Sequence, residues 1–333
     1  MHFNTNLSNK ILGWYDNNKR NLPWRVSKKS KKKLYYRLLS EFMLQQTQVK
    51  TVIPYFDRFT KKFKTLKDLS ESSEKEILKL WEGLGYYRRA RNLLKCSKLL
   101  VKNYNFKLPK TIDEIKQLPG IGEYTGNALL GLVHDQPTIA IDGNVKRIFS
   151  RLLNKEVKKV NFEKIILLNK SKLFKTNRNS DFVEGIMEFG ALVCKPKNPK
   201  CVSCCLNKKC KYFKSSIKIK VSKKKMVKKK NYNIFCYINK NKQIALTKKN
   251  QLGFLKNFNL PRIEETNRFA DTKNWKFLKK YKNSISNLEL NINLYYKFSD
   301  KIPSSYNWYS LENNKEFVPS FTKKVFRQVS ILF

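Results

Sequence analysis

The chain has 333 residues, enough for two domains that each bury a core, and its 41% hydrophobic and 13% aromatic content excludes an intrinsically disordered polymer. A formal net charge of +46 describes a surface that a polyanion would neutralise and points to nucleic acid, although part of the lysine excess reflects a Lys- and Asn-rich coding bias. No apolar run reaches membrane-spanning length and the N-terminus lacks a signal-peptide core, so the expectation is a cytoplasmic protein whose seven cysteines are reduced and free to hold metal.

In chain order, the spacing predicts a first helix from Ser8 with Ile11, Leu12, Trp14 and Tyr15 on one side, followed by Arg20 to Arg25 and a lysine-rich loop over 28–33. A second helix over 34–49 buries Tyr35, Leu38, Leu39 and Phe42. The 100° rule puts Glu41 at the edge of that stripe, where a carboxylate is half desolvated and its pKa rises. An edge Glu is ordinarily a solvated residue, but this one stands beside Gln45-Gln46-Thr47-Gln48, whose amides suit base edges. Residues 66–104 read as two helices broken at Gly83-Leu84-Gly85. The second sets Leu93, Leu94 and Leu100 opposite Arg88, Arg91, Lys95 and Lys98, just after Tyr86-Tyr87, and aromatic next to basic is what a deformed nucleic acid strand requires.

Leu118-Pro119-Gly120-Ile121-Gly122 then forms a tight hairpin whose amide hydrogens, at the start of the next helix, make a seat for a phosphate at Gly120 and Gly122. Next comes a lone carboxylate, Asp142, followed by Gly143, Asn144, Lys146 and Arg147, on a helix that buries Val145, Ile148 and Phe149. A helix over 181–193 carries Glu184 opposite its apolar stripe, which reads as solvent-facing. That helix runs into Cys194, Cys201, Cys204 and Cys210, with six, two and five residues between them. Four close thiols in a reduced compartment imply zinc or an iron-sulfur cluster. With a single Cys-x-x-Cys pair the spacing leans to a cluster of the 4Fe-4S type, leaving Cys96, Cys205 and Cys236 as ordinary thiols. A basic linker is expected over 215–230. Beyond it Ile234 to Ile238, Gln243 to Thr247 and Leu288 to Tyr296 alternate as strands, and 307–333 is helical in pattern, which makes a small α+β unit.

The combination of Leu-Pro-Trp-Arg, Ser-Glu41-Phe-Met-Leu-Gln-Gln-Thr-Gln, Gly-Leu-Gly-Tyr-Tyr-Arg-Arg-Ala-Arg-Asn-Leu, the hairpin, Ile-Asp142-Gly-Asn-Val-Lys-Arg and the four-Cys loop resembles the A/G-specific adenine DNA glycosylases. These are members of the helix-hairpin-helix superfamily that also contains endonuclease III. The likeness spans about residues 8 to 212. It implies a mainly α helix-hairpin-helix domain over 1–214 with a cluster loop at 194–210, the linker, and a Nudix-like lesion-recognition domain over 231–333.

The resemblance further implies a monomeric base-excision enzyme of the bacterial nucleoid, acting on double-stranded DNA with adenine opposite 8-oxoguanine or guanine. By it, Glu41 protonates the extruded adenine, Asp142 stabilises the sugar cation, and Arg20, Trp24, Arg25, Leu44, Asn144 and Glu184 line the substrate pocket. Gln46 and Tyr86 wedge into the gap left by the base, and one 4Fe-4S cluster sits on the four cysteines. Tyr124 stands where strand-cutting relatives carry a lysine nucleophile, and a phenol forms no Schiff base, so the expected product is an abasic site. In the C-terminal domain Ser286 is retained from a Phe-Ser-His loop that here reads Ile285-Ser286-Asn287. Two rivals are an endonuclease III-like glycosylase and lyase acting on oxidised pyrimidines, and a non-catalytic iron-sulfur DNA-binding protein.

Overall fold

The computed structural model describes residues 7–157, 160–217, 219, 228–249, 252, 255, 258–266, 272–285, 288–312 and 317–333. The chain divides into two compact units, one of Met1–Ile77 with Tyr86–Lys223, the other of Leu78–Gly85 with Lys224–Phe333.

The helices before residue 224 are α1 (Leu7–Asn18), α2 (Lys33–Leu44), α3 (Val49–Lys62), α4 (Leu66–Glu71), α5 (Glu74–Leu80), α6 (Arg88–Tyr104), α7 (Ile112–Lys116), α8 (Glu123–His134), α9 (Gly143–Leu153), α10 (Phe162–Leu168), α11 (Lys170–Leu173), α12 (Asn179–Leu192) and α13 (Lys211–Lys214). Their ends follow local chemistry. Thr65 and Asp68 form a reciprocal capping box on α4, and Thr111 accepts from the Glu114 amide at α7. Asp142 caps α9 through the Val145 amide.

The expected second helix stops five residues early, at Leu44, because Gln46 adopts a left-handed φ of 58° that no α-helix continues through. The stretch over 66–104 makes three helices rather than two. Its glycine break is present, with Gly83 and Gly85 at φ 98° and 73°.

The helix-hairpin-helix is α7, the turn through Gly120, and α8. A β-carbon on Gly126 would lie 2.7 Å from the Ile112 Cδ1, so the two helices meet where only hydrogen fits. The main core gathers Ile11, Ile148, Phe149, Phe182, Ile186 and Phe189, all nearly solvent-free. α12 packs on α1, α8 and α9 and is therefore apolar and buried around most of its circumference.

In the second unit β1 (Lys228–Ile238), β2 (Gln243–Leu246), β3 (Arg262–Glu265), β4 (Lys276–Ile285), β5 (Leu288–Phe298) and β6 (Asn307–Ser310) form one mixed sheet in the order β4-β5-β1-β2-β6, with β3 also on β1. β1 and β5 run parallel from Lys228 opposite Leu288 to Ile238 opposite Phe298. A terminal helix, α14 (Ser320–Val329), buries Phe321, Val325, Phe326 and Val329. Residues 307–310 are thus strand, and helix begins only after Pro319. β1 starts at Lys228, inside the stretch read as linker. Ser286 and Asn287, and the Gly253-Phe254 segment, lie outside the described residues.

Candidate active site and a cysteine-lined pocket

Helices α2, α8, α9 and α12 bring the sequence-derived acids together. Glu41 is buried on α2, and burial lifts its carboxyl from the ordinary 4.5 to about 7, opposed by Arg37 and reinforced by the negative charges of Glu184 and Asp142. Asp142 is also raised by burial. Here the opposing forces are hydrogen bonds, from the Val145 amide at 2.7 Å and from Asn144 Nδ2 at 2.6 Å. Tyr124 on α8 feels both acids, its phenol pushed up by burial first and then by Glu41 and Asp142, and its hydroxyl donates to the Met187 Sδ at 3.4 Å. The outcome is two carboxyls in unlike environments, one held mainly by an apolar surround and one by a helix N-terminus, with a neutral phenol between them in chain order.

A buried ion network sits behind Glu41. Glu184 is 5% exposed, which overturns its solvent-facing reading. It takes Arg25 Nε at 2.7 Å, pairs with Arg37, and accepts from the Tyr15 hydroxyl. Glu188 takes Arg20 Nε and Nη2, each at 2.7 Å, and Arg25 Nη2 at 3.1 Å. Its carboxyl is held below the usual range, Arg20 and Arg25 outweighing burial. Tyr15 stood out in the sequence only as part of an apolar helix face, and Arg37 and Glu188 did not stand out. The signal that could have found the last is its position four residues after Glu184, which sets both carboxylates on one helical face. Trp24 is buried edge-on to Phe56, with ring centroids 5.3 Å apart, and Leu44 is half-buried at the end of α2.

At the rim, Gln46 and Tyr86 are both exposed and both left-handed, at φ 58° and 50°. Buried Arg89 lies between their loops. Its Nη1 reaches the carbonyls of Phe42 (3.2 Å), Met43 (2.7 Å) and Gln45 (2.5 Å) and the Thr47 hydroxyl (3.1 Å), while its guanidinium stands 5.3 Å from the Tyr86 ring centroid. Gln45 Nε2 is 3.3 Å from the Gly120 carbonyl, tying this loop to the hairpin. Gly120 is left-handed at φ 82°, and a β-carbon there would meet Asn92 and Phe42. Around Gly122 there is open space.

Cys194, Cys201, Cys204 and Cys210 line a single cavity with Arg151 and Tyr212. Arg151 Nη1 donates to the Cys194 Sγ at 3.3 Å and the Leu206 amide to the Cys204 Sγ at 3.4 Å. Among the described residues no three such side chains close in as they would around a single ion.

Residues 39–168, which include Glu41, the hairpin and Asp142, match the family model described as HhH-GPD superfamily base excision DNA repair protein. The chain is similar to a thermostable thymine-DNA glycosylase structure, with a TM-score of 0.55 and 27% identity over 62% of this chain and 94% of that one. It shares the fold of a trapped endonuclease III–DNA covalent intermediate, at a TM-score of 0.50. The adenine DNA glycosylase of Homo sapiens is 36% identical over 60% of this chain and 38% of its own length. That of Buchnera aphidicola subsp. Baizongia pistaciae is 35% identical over 91% of this chain and 90% of its own, a likeness that runs through both units, and the chain belongs to the adenine DNA glycosylase family.

Proposed function

We propose that the protein excises adenine mispaired with 8-oxoguanine or guanine in double-stranded DNA, by hydrolysis of the N-glycosidic bond, and leaves an abasic site. The observation that carries this reading is the convergence of Glu41 and Asp142, a hundred residues apart in sequence, in unlike environments: burial keeps the proton on Glu41 to about 7, while at Asp142 hydrogen bonds to the charged form oppose the burial that raises it. An adenine cannot be cleaved while stacked, so it is first swung out of the duplex. Glu41, with a carboxyl that holds its proton near neutrality, donates it to the ring N7 and turns the base into a leaving group. Asp142, fixed by its own helix cap, stabilises the positive charge that develops on the sugar, the division of labour found in two-carboxylate glycosidases.

Arg20, Trp24, Arg25, Leu44, Asn144 and Glu184 line the adenine pocket, with Arg37 and Glu188 completing the network that fixes the arginines. Gln46 and Tyr86 fill the gap left by the base, and the Gly120–Gly122 amides hold a phosphate. Tyr124, kept neutral by burial beside two acids, offers no amine for a Schiff base, which supports a monofunctional reaction.

The four cysteines that share one cavity suit a 4Fe-4S cluster. Their donor set is all thiol, and Arg151 and the Leu206 amide direct hydrogens at two of the sulfurs. Such a cluster would brace the loop or sense DNA and would not be a reagent in the excision. The region over 231–333 is a Nudix-like domain that reads the base opposite the adenine through Ser286, and the domain over 1–214 is the catalytic one. The enzyme works as a monomer in the bacterial nucleoid.

The test is a duplex with adenine opposite 8-oxoguanine, incubated with protein and then treated with alkali. Cleavage at the adenine alone, only after alkali, and lost in Glu41→Gln and Asp142→Asn is the expected result. Strand cleavage without alkali, or a stable adduct trapped by borohydride, overturns it in favour of a lyase.

A further inference from the structure

We propose that Arg89 is a positioning residue that sets Gln46 and Tyr86 as one rigid wedge for base extrusion. The inference rests on the reading of those two residues as the groups that enter the gap left by the adenine. Neither Gln nor Tyr prefers a left-handed backbone, yet each adopts one in an exposed loop, and such conformations persist only where the surroundings over-determine them. The two loops are separated by about forty residues of chain. What they share is the Arg89 side chain.

Its Nη1 gathers the last carbonyls of α2 and the Gln45 carbonyl, the peptide oxygen immediately before Gln46, along with the Thr47 hydroxyl immediately after it. Gln46 is thereby gripped on both sides. The face of the same guanidinium lies over the Tyr86 ring, and the Arg89 amide donates to the Tyr86 carbonyl at 2.9 Å. The four acceptors share the two hydrogens of one nitrogen while the guanidinium carbon stands over the Tyr86 ring, so a guanidinium does both jobs at once and a lysine, whose single ammonium would have to choose between them, does not. Arg89 is buried, and the groups it holds belong to the two wedge loops, so its part is to hold the wedge and not to act on the adenine.

The consequence is a wedge whose two tips are locked before DNA arrives. Without Arg89 the tips are free to relax to ordinary backbone, and extrusion slows while the pocket chemistry stays intact.

The test uses the full chain and two duplexes carrying 2-aminopurine, a fluorescent isomer of adenine, at the target position opposite guanine. In one the probe is stacked in a continuous duplex. In the other, mismatches on both sides have already unstacked it. Stopped-flow fluorescence reads extrusion in the first, and single-turnover excision is followed in a matched pair of duplexes, one of each context, that carry adenine at the target position. Arg89→Met keeps the stem and removes the donors. It is expected to slow extrusion and excision in the continuous duplex by about a hundredfold, the scale of an ångström-level misplacement, and to leave excision from the pre-opened duplex within about threefold of wild type. Arg89→Lys does not rescue.

Because Arg89→Met also unburdens a packed site, Thr47→Val is run beside it. It deletes one acceptor without burying a new charge, and slows extrusion in the same direction by a smaller factor. An equal loss in both duplexes makes Arg89 merely a fold-stabilising residue and overturns the proposal. Gln46→Ala and Tyr86→Ala separate the two layers. If neither slows extrusion, the wedge reading fails and takes this inference with it. If they do and Arg89→Met and Thr47→Val do not, only the positioning role is lost.

Discussion

Gly190 of α12 passes so close to Asn144 that a β-carbon on it would lie 2.6 Å from the Asn144 Cβ. Asn144 is the residue whose amide donates to Asp142 Oδ2, while its own carbonyl accepts from Arg147 Nη2 at 2.6 Å; the same Nη2 also donates to the Gly190 carbonyl at 2.8 Å. One methyl group at Gly190 therefore pushes on the support of the carboxylate proposed to act on the sugar. Gly190→Ala is expected to cost about 1–3 kcal/mol in stability through overpacking, seen as a lowered Tm, and to slow single-turnover excision well beyond what that loss explains. A variant that melts early yet excises at the normal rate would show that Asn144 does not orient Asp142.

Glu41 supplies a pH signature with a definite sign. A carboxyl raised to about 7 by burial donates its proton below that pH and cannot above it, so the excision rate falls as pH climbs through about 7. The same shift enters folding. A raised carboxyl contributes stability that is complete below its unfolded pKa and disappears as pH rises through the folded value. The window therefore runs from about pH 4.5 to about 7, and the contribution lost across it is at most about 3 kcal/mol. Glu41→Gln is expected to abolish excision and to be more stable than wild type at pH 8, an advantage that shrinks at pH 5. Equal melting curves at both pH values would remove the titration from Glu41.

Asp142 is both cap and charge, and asparagine separates the two. Asn caps a helix about as well as Asp, so Asp142→Asn is expected to change stability by no more than about 0.5 kcal/mol. Excision should fall by a factor on the order of 10² or more, since the stabilising charge is gone. Calorimetry with a duplex-cleavage assay measures both at once, and a parallel fall in stability and activity would reassign Asp142 to a structural role.

The cysteines divide in the same way. Cys201→Ser removes one of four thiols lining a shared cavity, whereas Cys205→Ser alters a thiol outside that lining. Loss of bound iron and of visible absorbance is expected in the first and not in the second, with weaker duplex binding following the iron. If Cys205→Ser loses iron to the same extent, the ligand set is wrong.

The motifs that carry the chemistry were legible because each is local: a glycine hairpin, an Asp at a helix start, four thiols in one loop. Burial was not legible. Treating α2 as a surface helix left Glu41 at an edge, yet Arg37 through Met43 are all buried, because α3, α6 and α8 cover the helix on several sides. Glu184 was misjudged for the same reason. Its partners Tyr15, Arg25 and Arg37 come from distant segments, and charge pairs of that kind leave no period in the sequence. β4 went unseen because Lys279 and Asn283 interrupt the alternation of Phe277, Tyr281 and Ile285 and the register shifts between Phe277 and Lys279, and β3 is four residues long. The apparent helix over 307–333 joined a short strand to α14 across Pro319, where the helix begins.

The parallel register of β1 and β5 has a consequence for biosynthesis. The two strands are sixty residues apart, as the hydrogen bond from Asn291 Nδ2 to Asn231 Oδ1 shows, so β1 leaves the ribosome long before its main neighbour exists. Closing that distance is entropically slow. Until then the nascent chain carries a strand with one open edge, and the lysines at its start, Lys228 to Lys230, discourage that edge from pairing with another chain while it waits.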